Sequence, residues 1–398
     1  MNKHSAFLIT LVATHFTSIT VAQEADNPPT LKLDRIPSLP AFAGQTRAPA
    51  ATPSAYTVQV VADSLSSPWA LVFLPGNEML ITENTGTMRV VHANGRVSAP
   101  LAGLPEISHE GWSGLFDLAL DPQFARNQVI YFSYTAPSGI NDAPNIARVA
   151  RARFERETYS IADVEIVLDG KAWQELAFAP DGTLLASGLA AAGESNAQDL
   201  STYTGKLLRV NADGTVRRDN PWSTNENVPS EIYTYGHRDI SGIVTNPSTG
   251  DIWITEHGPR GGDEINIIRA GANYGWPVIS YGTEYSGAVI GSGETQQEGM
   301  QQPLYFWRPS IAPSGLLFYT GDMFPEWRGN LFVSALSGEH IARLVLDGDR
   351  VVAEERLLVD RAERIRELKQ GPDGALYALT NEPNDAEPGT ARLLRISK

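Results

Sequence analysis

Carboxylates and glycines crowd one stretch of this chain in a pattern that suits a hard cation. Tyr235-Gly236-His237-Arg238 is followed by TEHGPRGGDEINIIRAGANYGWPVISYG from Thr255 to Gly282. Gly258, Gly261 and Gly262 let backbone carbonyls turn inward, and Asp263 and Glu264 add the carboxylate oxygens that calcium prefers. A second reading of the same residues has Asp263 capping a turn and Glu264 paired with an arginine. Cysteine is absent. That excludes a thiolate zinc site, a Cys nucleophile and a lipid-modified N-terminal cysteine, and it leaves stability to the core and to any bound metal.

The elements that must position these residues recur along the chain. A turn of the Pro-Asp-Gly or Pro-Gly-Asn kind is followed by a short apolar strand and then by another. Phe73-Leu74-Pro75-Gly76-Asn77 leads into EMLITE, and Leu120-Asp121-Pro122 leads into VIYFSYTA. Phe178-Ala179-Pro180-Asp181-Gly182 leads into TLLASG, and Asn246-Pro247-Ser248-Thr249-Gly250 leads into DIWITEH. Phe324-Pro325-Glu326-Trp327 leads into GNLFVSAL, and Gly371-Pro372-Asp373-Gly374 leads into ALYALTN. Such turns tolerate positive φ and suit tight hairpins. Six units spaced by about one four-stranded blade predict an all-β, six-bladed β-propeller over residues 56–398. The length of 398 residues would by itself suggest two or three domains, but all-β folds often exceed that guide as one unit. Tyr56 to Leu65 alternates apolar and polar residues and is expected to pair near the C-terminus, closing the ring.

Ahead of the propeller, residues 1–22 read as a secretory signal. Lys3 gives the charged start, Ala6 to Ala13 the short apolar region, and Thr20-Val21-Ala22 the small residues before cleavage. The apolar run is too short to span a bilayer. Residues 23–55, rich in Pro, Ala and small polar residues, read as a flexible linker. A periplasmic or secreted protein is expected. The net charge of −15, with no basic run, argues against nucleic acid and anionic membrane as partners.

The block EHGPRGGDE…NYGWP resembles the glucose/sorbosone dehydrogenase family, the soluble quinoprotein aldose sugar dehydrogenases that use pyrroloquinoline quinone (PQQ) and calcium. Further matches are SSPWALVFLP at 66–75, DLALDPQFARN at 117–127, GKLLRVNADGTVRRDNPW at 205–222, WRPSIAPSGLLFYTG at 307–321 and ERIRELKQGPDGALYALTNE at 363–382. The resemblance implies one calcium on the Glu264 carboxylate and the Tyr274 backbone. It implies a second, bridging to the quinone, on the carbonyls of Gly258 and Pro259. Arg364 and Arg366 would grip the quinone carboxylates, since guanidinium forks match carboxylates and alternate strand residues point the same way. Tyr285 and Trp307 would form aromatic walls. Taken alone, the arginines could equally form surface ion pairs and Trp307 could sit in the core.

The chain departs from the family at the reacting centre. The family's general base is a His in an HFGGR-like motif, oriented by an Asp in a GD dipeptide. Here the stretch reads Lys171-Ala172-Trp173-Gln174-Glu175-Leu176-Ala177-Phe178, and the GD position reads Gly188-Leu189. EGQGG has become Glu110-Gly111-Trp112-Ser113-Gly114, ALKG has become Ala335-Leu336-Ser337-Gly338, and GHRNPQG has become Gly236-His237-Arg238-Asp239-Ile240-Ser241-Gly242. Trp112 and Ser337 thus stand where a quinone-contacting Gln and Lys would be, leaving less positive charge for a tri-anionic quinone. The candidate bases are Glu175, almost at the position of the lost His, and His109, His237 and His257. The expected function is oxidation of a carbohydrate or related small alcohol with calcium and PQQ, weakened by these replacements. Two alternatives are calcium-assisted non-redox chemistry in the same pocket and a non-catalytic carbohydrate-binding propeller, with Trp112 and Trp173 stacking on a sugar.

Overall fold

A computed structural model describes residues 39–109, 111–139, 144–188, 195–382 and 389–398. Six antiparallel sheets stand around a central channel. Blade 1 is Pro68–Leu74, Glu78–Glu83 and Thr87–Val91; blade 2 is Leu115–Leu120, Val129–Ala136, Ile146–Glu155 and Ser160–Asp169. Blade 3 is Ala172–Phe178, Leu184–Gly188, Lys206–Val210 and Ile232–Tyr235; blade 4 is Ile240–Thr245, Ile252–Glu256, Asp263–Ile267 and Tyr305–Trp307. Blade 5 is Pro313–Phe318, Leu331–Ala335, His340–Asp347 and Arg350–Leu357. Blade 6 is Arg364–Gln370, Leu376–Asn381 and Ala391–Ser397, and Thr57–Leu65 completes it as the outermost strand. The predicted propeller and its closure by the first strand are both present. Blade 1 has three strands rather than four, with an isolated bridge from Val91 to Val97 at its edge.

Because successive strand residues face opposite sides, each blade feeds two cores. In blade 1, Leu80 packs toward blade 2, whereas Met79 and Ile81 pack toward blade 6. Both faces are buried, which explains why these strands read as continuous apolar runs. The innermost strands touch their neighbours around the channel.

At one level of that channel the pairing between first and second strands slips in every blade. The slipped positions are Ala70, Asp117, Glu175, Gly242, Gly315 and Glu367, each at or beside the register shift. Facing them, every second strand carries a hydroxyl: Thr82, Ser133, Ser187, Thr255, Ser334 and Thr380. Several of these repair the slipped ladder. Thr82 Oγ1 accepts from Ala70 N at 3.0 Å and donates to Phe116 O of blade 2 at 2.6 Å. Ser133 Oγ accepts from Asp117 N at 3.0 Å and donates to Gln174 O of blade 3 at 2.5 Å. Ser187 Oγ accepts from Glu175 N at 2.9 Å. A backbone group freed by a bulge is thereby satisfied, and one blade is tied to the next.

The expected flexible linker needs correction. Residues 1–38, including the expected signal, lie outside the described residues, but 39–55 are docked on blades 4 and 5. Gln45 is buried, donating to Pro303 O at 2.9 Å and accepting from Tyr281 Oη at 3.2 Å. Ala51 N donates to Glu354 O, Glu354 N to Pro49 O, and Trp327 Nε1 to Ser54 Oγ. Proline- and alanine-rich composition gave no periodicity to read, yet the segment covers the edges of two outermost strands, which would otherwise expose unpaired backbone groups.

Candidate functional site

Five of the six innermost strands bring charged or aromatic groups to one region of the channel. Arg364 and Arg366 open blade 6, and the Arg366 guanidinium lies 4.0 Å from the ring centre of Trp69 in blade 1. Trp69 is itself held edge-on by Phe116 of blade 2 at 5.0 Å. The Nε atoms of Arg364 and Arg366 are buried without a hydrogen-bond partner. Among the described residues neither arginine forms an ion pair. Burial lowers both pKa values, that of Arg366 to about 10, while Glu175, Glu367 and Asp239 support its charge from nearby.

Glu175 sits half-buried in the first strand of blade 3. Burial, then the neighbouring Asp117 and Glu367, raise its carboxyl well above the ordinary range. Asp117 is buried and accepts from Leu118 N and Leu176 N, both at 2.7 Å. Burial pushes it up to about 7, against the pull of Lys369. Glu367 pairs with Lys369 at 3.1 Å and accepts from Leu368 N. Space for these groups comes from glycine: a Cβ on Gly315 would lie 2.8 Å from Glu367 Oε1 and 2.7 Å from Ser334 Oγ.

Asp239, at the start of blade 4, faces His257 with 3.5 Å between Oδ2 and Nδ1. Burial alone would raise the Asp239 pKa, but His257, Arg238 and Arg366 bring it below the ordinary value. Burial likewise opposes a charge on His257, and Asp239 more than offsets it, raising that pKa. His257 Nε2 lies 2.6 Å from Pro313 O. Both ring nitrogens therefore face acceptors, which favours the protonated ring and disfavours His257 as a proton acceptor. His237 is buried and also held at both nitrogens, by Thr234 Oγ1 at 2.8 Å and Glu256 Oε1 at 3.2 Å, with its ring stacked on Tyr274. Its place is structural. His109 is exposed on the loop after blade 1.

The glycine-rich block separates its two acids. Asp263 accepts from Gly258 N at 2.9 Å, from Ser310 Oγ, from Ile311 N at 2.7 Å and from Ala312 N at 2.8 Å. It is the turn cap of the second reading. Glu264 instead faces a cavity of about 270 Å³, open mouth included, lined also by Glu256, Gly258, Tyr274 and Arg238. Burial and Glu256 raise its carboxyl well above the ordinary range. Its partner is the Asn266 amide at 3.1 Å, and the expected arginine pair is not formed among the described residues. A buried carboxylate, Glu256, and a half-buried one, Glu264, beside a backbone-lined cavity are a donor set that fits calcium. Pro259 is buried next to Gly258.

The expected aromatic walls fare unequally. Trp307 is a core residue between blades 4 and 5, not a wall. Tyr285 and Trp112 project into solvent, 72% and 84% exposed. Glu110, Leu189 and the side chain of Trp173 lie outside the described residues. Trp69, Asp117, Asp239, Glu256, Asn266, Glu367 and Lys369 were not picked out from the sequence. The signal for Asp117, Glu175 and Glu367 was their shared offset, five residues before Pro122, Pro180 and Pro372.

A family model described as Glucose / Sorbosone dehydrogenase matches residues 65–394. The Escherichia coli aldose sugar dehydrogenase YliI is 38% identical over 357 residues, covering 87% of this chain and 94% of that protein. Quinoprotein glucose dehydrogenase B of Acinetobacter calcoaceticus is 27% identical, covering 83% and 86%. The apo crystal structure of the E. coli soluble aldose sugar dehydrogenase superposes with a TM-score of 0.80 at 37% identity, over 86% of this chain and 99% of that one. The PQQ-bound aldose sugar dehydrogenase of Streptomyces coelicolor gives 0.71 at 26% identity, over 88% and 99%.

Proposed function

The chain belongs to the glucose/sorbosone dehydrogenase family, and from that premise we propose that it is an exported enzyme that oxidises an aldose or related sugar with PQQ and calcium. The observation that carries this reading is the pair Arg364 and Arg366. Two half-buried cations have no carboxylate partner among the described residues, and their Nε atoms are buried and unsatisfied. Leaving buried cations unpaired is costly, and a planar poly-carboxylate ligand would satisfy both forks. The residues present therefore fit a quinone at this end. The signal pattern of residues 1–22 supports export to the periplasm or beyond.

In this reading Arg364 and Arg366 hold the quinone carboxylates, and Trp69 fixes the plane of the Arg366 guanidinium. The carbonyls of Gly258 and Pro259 would hold one calcium, and Glu264 with the Tyr274 carbonyl would hold a second. Bound PQQ supplies the acceptor for the sugar's hydride. Glu175 takes the proton of the sugar hydroxyl at its carboxylate. Its environment supports that role, because burial, then Asp117 and Glu367, raise its pKa, and a carboxylate of raised pKa is a stronger base. Exposed Trp112 offers a face on which a sugar ring could stack.

The test is reconstitution: PQQ and calcium are added to purified protein, and dye reduction is followed with a panel of aldoses. Quinone binding is titrated separately. Glu175→Gln should abolish turnover while leaving quinone affinity nearly unchanged, and Ser337→Lys should tighten quinone binding. Turnover unaffected by Glu175→Gln would remove the base from this account, and failure of PQQ to bind would remove the whole reading.

A further inference from the structure

Glu264 does not face its cavity alone. Glu256 stands directly opposite it across the antiparallel pair of Ile252–Glu256 and Asp263–Ile267. Like charges at directly opposed sheet positions repel, and here Glu256 is buried and Glu264 half-buried, so water screens them little. Asn266, two residues beyond Glu264 and on the same face, has its amide nitrogen between them. Nδ2 donates to Glu256 Oε1 at 2.9 Å and to Glu264 Oε2 at 3.1 Å. The amide oxygen of Asn266 is buried with no partner at all. A neutral amide thus occupies the place between two carboxylates where a cation would be held most strongly.

Among the described residues no arginine or lysine forms an ion pair with either carboxylate. Arg238 donates to His257 O at 3.1 Å and lies over the Trp276 ring at 5.4 Å. His237 Nδ1 lies 3.2 Å from the same Glu256 Oε1 that accepts from Asn266, its ring stacked on Tyr274, and Arg238 N donates to Glu256 Oε2 at 2.9 Å. Tyr274 spends its hydroxyl on Ile267 O at 2.8 Å.

Building on the calcium assignment at Glu264, we propose that the ion is chelated by both Glu264 and Glu256, and that Asn266 holds the two carboxylates in register in the metal-free protein, then turns its amide oxygen to the ion. The turn exchanges which end of the amide is unsatisfied. It replaces the Nδ2 contacts with metal–oxygen bonds, so the bound state loses no hydrogen bond without compensation.

The experiment is calcium titration by calorimetry on the full chain stripped with chelator, in the absence of quinone, with melting curves of the metal-free proteins as controls. Glu264→Gln should abolish binding. Glu256→Gln and Asn266→Leu should each weaken it about tenfold or more, as removal of a ligand or its orienting partner does. Asn266→Asp should keep affinity within about threefold or improve it, because it supplies an oxygen without a turn, while its metal-free form melts earlier from added repulsion. If Glu256→Gln and Asn266→Leu both bind within about threefold of the parent while Glu264→Gln does not bind, the shared chelation is overturned. If Glu264→Gln also binds normally, the calcium assignment itself is overturned. Should Glu256→Gln not fold, the Asn266 pair of variants decides the question alone.

Discussion

Asp117 gives the sharpest forecast. Its carboxyl is buried, and its pKa stands at about 7 against an ordinary 3.8. Between those values the folded protein keeps a proton that the unfolded chain has released. Its contribution to stability is therefore complete below about pH 3.8 and is lost as pH rises through 7. From pH 5 to pH 8 the loss amounts to about 2–3 kcal/mol, a substantial share of ordinary domain stability. Asp117→Asn has no such titration. It also loses one of the two backbone bonds now made by Leu118 N and Leu176 N, since an amide offers one acceptor oxygen. That costs about 1–3 kcal/mol at every pH. Urea unfolding of both proteins at pH 5, 6, 7 and 8 reads the effect of Asp117 and its coupling to Glu175 together, because shifts of groups outside this cluster, such as His340 lowered to about 4, are common to both. The stability gap should narrow by about 2–3 kcal/mol between pH 5 and pH 8. A gap constant across that range would refute the assignment of a buried, protonated Asp117.

Ser133→Ala should cost about 2–4 kcal/mol by denaturant unfolding, because it strands both Asp117 N and Gln174 O. Gly315→Ala should destabilise by about 1–3 kcal/mol, its methyl meeting Glu367 Oε1 and Ser334 Oγ, and Gly315→Ala combined with Glu367→Ala should recover part of that loss. Gln45→Ala should lower the melting temperature and admit protease within residues 39–55, because it removes the anchor to Pro303 and Tyr281. Arg366→Ala should weaken PQQ binding at least tenfold in an equilibrium titration, with Trp69→Ala a smaller effect in the same direction.

Local chemistry made the blades legible. The turns near Pro75, Pro122, Pro180, Pro247 and Pro372 are punctuated by residues that can do little else, and apolar runs beside them can only be strands. The metal block was legible in part. Asp263 and Glu264 are adjacent, so alternation along a strand sends them to different surroundings, one into a turn and the other into a cavity. Whether a given acid caps or ligates depends on what the next blade presents, which spacing does not encode. The same holds for Asp239 and His257, 18 residues apart, and for Trp69 beneath Arg366, almost 300 residues apart. Trp307 as a wall failed for a related reason: the outermost strand of blade 4 faces blade 5 and not the mouth. Docking of residues 39–55 was invisible because it uses backbone groups and single polar side chains, which leave no period behind.

Closure of the ring also fixes when the molecule can become whole. Thr57 pairs with Ser397 and Leu65 with Ala391, so the first strand of the ring waits for the last. A chain emerging residue by residue can assemble blades 1 to 5 from neighbouring segments, but blade 6 stays open until about 340 residues separate its partners. Until then the strand from Thr57 is an unpaired edge, open to pairing with another chain. Holding the chain unfolded until synthesis ends would remove that interval altogether.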